Sequence, residues 1–182
     1  MELYEKTVSA TDIYRGAIIY VHSDEVELAD GRRSRREVVE HSGGVTVIPV
    51  DTDGSVCCVR QFRYPYGETV LETPAGKLEA GEEPLDCAVR ELSEETGLSA
   101  DEWVYLGRFY PSPGYCREIL HAYMARGLHS GTAHPDEGEL LAVEKYPLDT
   151  LVDMAMSGEL IDAKSIIAVL KAKRYIEQEE HN

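Results

Sequence analysis

GKLEAGEEPLDCAVRELSEETGL, residues 76–98, changes character at Pro84, from a Gly-rich entry to a helical pattern. Leu85, Val89, Leu92 and Thr96 recur at i, i+4, i+7 and i+11, Pro84 suits a first helical turn, and Gly97 is a natural stop. The spacing predicts a helix over 84–96 whose stripe of Leu85, Val89 and Leu92 faces the core. Glu91 and Glu95 lie four apart and so share one face, with Glu94 beside them. Like charges at that spacing destabilise a helix, and the last turn disfavours anions. A helix shaped for stability alone would carry Lys or Arg there. Here the glutamates are joined by Glu82 ahead of the helix, by Arg90 as a built-in cation, and by the entry loop Gly76–Gly81. Hard divalent cations such as Mg²⁺ take oxygen ligands of this kind and bridge them to phosphates. The combination points to a metal site rather than to a solvated acidic face.

The whole chain agrees with that reading. It has 182 residues, with 18 Lys+Arg against 34 Asp+Glu and a formal charge of -16. So acidic a chain repels nucleic-acid phosphates and anionic membrane surfaces, which disfavours both as partners. A phosphate-bearing ligand then needs a local reversal of the field, most simply by metal ions held on the excess carboxylates. No apolar run approaches membrane-spanning length, and MELYEKTVSATD does not read as a signal peptide. A cytoplasmic protein is expected. Cys57, Cys58, Cys87 and Cys116 show neither zinc-site spacing nor a CxxC pair, and adjacent Cys57 and Cys58 sit in an apolar run, so reduced core thiols are expected.

Residues 11–42 read as short strands: GAIIYVH, then EVELAD, the turn ADGR and SRREVVEH. VTVIPV, the turn Asp51–Gly54 and SVCCVRQFRY look like a hairpin of buried strands. Residues 66–82 read as loop and short strand. Further strands are expected at 103–110, 118–126 and near 140–146, with loops at 111–114 and 127–138. A short helix over 148–156 and a longer one from an Asp162 N-cap to about Glu177 complete the chain. Strands interleaved with a few helices make an α+β domain.

Residues 76–98 resemble the Nudix box, G-x5-E-x7-R-E-U-x-E-E-x-G-U, with U an apolar residue. Every fixed position is filled: Gly76, Glu82, Arg90, Glu91, Glu94, Glu95 and Gly97, with Leu92 and Leu98 at the apolar places. A chance match is rarer than about 10⁻⁶ in a chain this long. The resemblance implies an α/β/α sandwich that hydrolyses a nucleoside diphosphate linked to another moiety, using Mg²⁺ or Mn²⁺. By the same resemblance Glu91 and Glu95 are the principal metal ligands, Glu94 helps, and the Ala75 carbonyl is a backbone ligand. Glu82 and Arg90 are supporting residues.

Pro113, sixteen residues after Gly97, resembles the marker of the ADP-ribose pyrophosphatase branch. Arg36–His41, Gln61–Arg63, Glu72–Leu78 and Asp162–Ser165 also look like that branch. The implied reaction converts ADP-ribose to AMP and ribose 5-phosphate. Its two phosphates call for planar guanidinium donors, for which Arg63 and Arg36 are the candidates. Pro113 and Gly114 form a turn that can present backbone groups to a sugar, and Glu118 matches the position that contacts the terminal ribose. The adenine calls for an aromatic face, for which Tyr14 and Tyr64 are candidates. The branch also implies a homodimer that exchanges its N-terminal strands, so that residues 1–42 form a strand segment and 43–182 the hydrolase domain. The loop 131–139 holds the carboxylate expected to activate water, Glu139 first, then Glu137 and Asp136. Rival readings are a Nudix hydrolase for ADP-glucose, GDP-mannose or NADH, and a non-catalytic nucleotide-sensing module. The intact glutamate set argues against the sensor.

Overall fold

The computed structural model describes residues 3–136, 138 and 140–181. The chain divides into two units, Met1–Gly43 with Tyr110–Ile119, and Gly44–Phe109 with Leu120–Asn182. The first unit is an antiparallel sheet of β1 (Glu5–Arg15), β2 (Tyr20–Leu28) and β3 (Arg33–Glu40), in that order. The expected strand GAIIYVH instead contains a turn. The Gly16 N–H donates to the Ile19 carbonyl at 2.9 Å, and β2 begins only at Tyr20. All eleven residues of β1 are exposed, among them Val8, Ile13 and Tyr14. Segment 110–119 extends this unit, because Val39 N–H donates to Tyr115 and its carbonyl accepts from Arg117 N–H.

The second unit carries two sheets. One has the order β7 (Ala75–Lys77), β4 (Gly44–Pro49), β9 (Leu120–Ser130), β8 (Leu98–Phe109), and the other β10 (Leu141–Pro147), β5 (Ser55–Arg63), β6 (Glu68–Glu72). β4 runs parallel to β9 and is buried on both faces, as a central strand must be. Helix α1 (Pro84–Thr96) covers one face, where Cys87, Ala88 and Leu92 pack on Val45, Val47 and Tyr123. Helices α2 (Leu148–Ser157) and α3 (Ala163–Glu180) cover the other, where Leu151, Ala168 and Val169 meet Ile48 and Met124. The unit is therefore the α/β/α sandwich expected.

Two further expectations need correction. The segments around Asp51–Gly54 do not form a hairpin. They turn there, share the single bridge Val50–Val56, and diverge into different sheets. Each is so apolar that it takes a central place with neighbours on both sides, which a two-stranded hairpin cannot provide. The stripe of α1 is also rotated. Leu85 and Val89 are exposed, whereas Cys87, Ala88, Leu92 and Glu95 are buried. Small residues let the helix sit close to the sheet, and this turns the glutamate face inward.

Cys57, Cys58 and Cys87 are buried free thiols, and Cys116 is partly buried. Burial pushes Cys57 up to about 11 and Cys58 and Cys87 up to about 12, so none of the three is poised as a nucleophile. No described helix is long and apolar enough to cross a membrane.

Candidate active site

Helix α1 ends as its sequence predicts. Gly97 adopts the left-handed conformation at φ 71°, and its N–H donates to the Ser93 carbonyl. The rotation of α1 brings its glutamates against β7. Glu95 is only 3% exposed and accepts a hydrogen bond from the Ala75 N–H at 3.0 Å. The Glu91 carboxylate lies over Gly76, where a Cβ would come within 1.8 Å of its Oε1. Gly76 is thus a cradle for a carboxylate.

Arg90 ties the acidic groups together. Its Nε and Nη2 donate to the two oxygens of Glu82 at 2.9 and 3.0 Å, and its Nη1 donates to Glu91 at 2.7 Å and Glu94 at 2.9 Å. Nη2 also reaches the Lys77 carbonyl at 3.1 Å. The guanidinium pKa rises, chiefly through its hydrogen bonds to Glu82. Glu82 is held down to about 2, first by Arg90 and then, against some desolvation, by the Glu79 N–H. Arg90 therefore joins Glu82, Glu91 and Glu94, while Glu95 of the same helix meets the Ala75 N–H.

Among the described residues no three His, Cys, Asp or Glu side chains close around one point. The donor chemistry still fits a hard divalent cation. Carboxylates and the Ala75 carbonyl are oxygen donors, and Mg²⁺-class ions commonly complete their shell with substrate phosphates and water rather than with an all-protein cage. Gly76→Ala tests the cradle. The clash falls on the far end of a flexible side chain, so the fold survives while Glu91 must swing away. The expected result is an unchanged melting temperature and about 10²-fold lower kcat in steady-state assays, the usual effect of an ångström-scale misplacement.

A second polar cluster adjoins this face. Glu72 is 1% exposed, and the Arg63 fork grips it, Nε to Oε1 and Nη2 to Oε2, both at 2.6 Å. Lys164 also donates to Oε2 and pairs with Asp162 at 3.0 Å. Burial pushes the Glu72 pKa upward, but Arg63 and Lys164 outweigh it and leave it below the ordinary value. Leaving so buried a carboxylate unpaired would cost about 3–5 kcal/mol. The next residue, Thr73, donates its N–H to Ser165 Oγ at 2.8 Å, and its hydroxyl meets that of Thr46 at 2.7 Å. Residue types alone did not reveal this network. Its one sequence signal is a Glu closing the apolar run Val70-Leu71, which stays buried only if paired.

The remaining candidates are distributed as follows. Arg63 is part of the second cluster, and its Nη1 makes no hydrogen bond among the described residues. Tyr64 is almost fully exposed. Arg36, Tyr14, Pro113, Gly114 and Glu118 belong to the first unit. There Glu5 holds Arg36 at 2.5 and 2.8 Å while Ser34 and Arg35 take its Nη1. The Tyr14 ring lies against Gly16, and Glu118 is 3.7 Å from His41. Pro113 and Gly114 sit in a turn closed by Tyr115 and Cys116 N–H groups donating to the Ser112 carbonyl. An open cleft of about 380 Å³, not anticipated, is lined by Arg15–Tyr20 and Glu40–Ser42. Glu137 and Glu139 lie outside the described residues. The entrance to their loop is fixed: Gly131 N–H donates to Gly97 at 2.7 Å and His134 N–H to Glu94 at 2.9 Å.

Comparison with known proteins adds to this geometry. The chain matches the NUDIX domain over residues 40–168 and the nucleoside diphosphate sugar hydrolase N-terminal domain over 5–39. It is similar to an ADP-ribose pyrophosphatase of Bacillus subtilis (strain 168), 40% identical over 169 residues, covering 92% of this chain and 91% of that one. A methanol dehydrogenase activator of Bacillus methanolicus is 38% identical over 167 residues, 91% and 90% of the two chains. The crystal structure of an ADP compounds hydrolase matches with a TM-score of 0.87 at 21% identity, over 98% of each chain. At that identity the match speaks for the fold.

Proposed function

The chain belongs to the Nudix family, and from that premise we propose that it is a pyrophosphohydrolase converting ADP-ribose to AMP and ribose 5-phosphate. The observation that carries the reaction class is the inward glutamate face of α1, with Glu91 over Gly76 and Glu95 on the Ala75 N–H. The similarity to a relative named ADP-ribose pyrophosphatase, spanning nine-tenths of both chains, supports the substrate.

Nudix hydrolases use divalent metal ions; we take the ion here to be Mg²⁺, with Mn²⁺ as an alternative, held by Glu91, Glu95, Glu94 and the Ala75 carbonyl. When bound, it supplies charge neutralisation of the diphosphate and acidification of water. Arg90 and Glu82 hold the glutamates in place through charge-assisted hydrogen bonds. Arg63, its plane locked by Glu72, offers Nη1 to a phosphate oxygen. Arg36 would exchange Glu5 for phosphate to do the same. Glu139, with Glu137 as runner-up, takes the proton of the attacking water. Tyr14 offers a face to the base, and Pro113, Gly114 and Glu118 are assigned to the sugar. The fully exposed β1, with Val8, Ile13 and Tyr14 uncovered, supports strand exchange in a homodimer. We place the enzyme in the cytoplasm.

Product analysis in H₂¹⁸O tests the proposal. With Mg²⁺, ADP-ribose should yield AMP and ribose 5-phosphate carrying one ¹⁸O in one of the two phosphates, and EDTA should abolish the reaction. Matched assays with ADP-glucose, GDP-mannose and NADH should give lower kcat/KM. A preference for any of these would overturn the substrate assignment, and no hydrolysis of any would overturn the reaction class.

A further inference from the structure

We propose that Lys164 and Ser165, consecutive residues in the first turn of α3, are positioning residues that align the two halves of the hydrolytic site. The inference rests on the functional reading above. Lys164 grips Glu72 and Ser165 grips Thr73, also consecutive, so one helical turn holds the end of β6. From there the geometry runs in two directions.

Through Glu72 it reaches the phosphate side. Both oxygens of Glu72 are engaged by the Arg63 fork, so the carboxylate plane dictates the guanidinium plane and with it the direction of Nη1. Lys164 shares the Oε2 oxygen of that carboxylate with Arg63 Nη2 and at the same time balances Asp162. Without Lys164, Arg63 is the cation left, among the described residues, to answer both Glu72 and Asp162, and its orientation is no longer set by Glu72 alone.

Through Thr73 it reaches the metal side. Ser165 Oγ accepts the Thr73 N–H at 2.8 Å and donates to Asp162 Oδ2 at 2.5 Å. Pro74 accepts from Val47 N–H at 2.8 Å, and Ala75 donates to Glu95 at 3.0 Å. Residues 73–75 are thus pinned in succession, which fixes the 74–75 peptide plane directly ahead of the Ala75 carbonyl. Asp162, whose side chain also caps α3 on the Ser165 N–H, orients the hydroxyl that does this.

Docking of α3 does not require such a device. Ala168, Val169 and Ala172 already pack on the sheet without exposure, and apolar residues at 164 and 165 would dock it at no desolvation cost. The buried polar contacts are directional, and that direction serves the residues they hold.

The test compares the unaltered protein with Lys164→Met, Lys164→Gln, Lys164→Arg and Ser165→Ala. Steady-state kinetics with ADP-ribose are measured alongside Mn²⁺ binding alone, the latter by electron paramagnetic resonance of the free ion, at temperatures well below each melting point. Lys164→Met is expected to raise KM for ADP-ribose about tenfold with Mn²⁺ affinity unchanged. Lys164→Gln, which keeps a donor to Glu72 without the charge, covers the case in which the Met variant does not fold and should show the same split. Lys164→Arg should recover most of the loss. Ser165→Ala should weaken Mn²⁺ binding about tenfold and lower kcat while leaving KM near normal. Variants that melt earlier but keep KM, kcat and Mn²⁺ affinity would reduce the pair to a structural role and overturn the proposal. An unaltered protein that folds but does not hydrolyse ADP-ribose would instead remove the functional reading itself.

Discussion

Glu91→Gln and Glu95→Gln are each expected to lower kcat by about three orders of magnitude or more while the circular dichroism spectrum stays that of the unaltered protein. The fold tolerates both changes. Glu95 accepts the Ala75 N–H at 3.0 Å, and a Gln carbonyl oxygen can accept the same bond. Glu91 is one of three carboxylates on Arg90, so losing its charge leaves Glu82 and Glu94 to hold the guanidinium. Catalysis has no such reserve. A neutral amide is a poor ligand for a hard cation, and charge counts for more at a nearly dry position such as Glu95 than in water. Steady-state assays at saturating Mg²⁺ check this, and near-normal turnover of either variant would remove that residue from the proposed ligand set.

Glu139→Gln should reduce kcat by about 10²–10⁴ with little change in KM, as expected for loss of a positioned general base. In-line attack on phosphorus needs a carboxylate on the far side from the leaving group, and residues committed to a metal lose basicity. The segment that carries Glu139 is tethered at both ends. Gly131 and His134 are bonded to the end of α1, and Leu141 pairs with Gln61 as β10 begins. A short span held between those anchors can bring a carboxylate toward the glutamate face and exclude bulk water. Parallel assays of Glu139→Gln and Glu137→Gln decide the register: a dead Glu137→Gln beside an active Glu139→Gln moves the base by two residues, and two active variants end the loop-base proposal.

Much of the architecture could be read locally. The bounds of α1, its Gly97 stop and the Asp162 cap of α3 follow from residue types whose backbone preferences act over a few positions. The box spacing likewise placed Glu91, Glu94 and Glu95 on one helical face. Which way that face points could not be read, because hydrophobic patterning discounts glutamate and undervalues Cys87 and Ala88, the small residues that let α1 approach the sheet. The partners of β4 and β5 were equally hidden. The turn at Asp51–Gly54 is encoded locally, but pairing with β9 and β10 depends on chain more than sixty residues away. The burial of Glu72 is likewise hidden from local patterning, since it is made tolerable by Lys164, ninety-two residues on.

Gly97 and Gly131 meet backbone to backbone. A Cβ on Gly97 would come within 2.6 Å of the Ala133 nitrogen, and one on Gly131 within 2.9 Å of the Gly97 oxygen. Each position therefore excludes a side chain because main chain, not a movable side chain, lies in its way. A side chain gained at either one collides with main chain held by the Gly131–Gly97 and His134–Glu94 hydrogen bonds. Substitution is consequently narrow at two points whose constraint comes from the main chain alone.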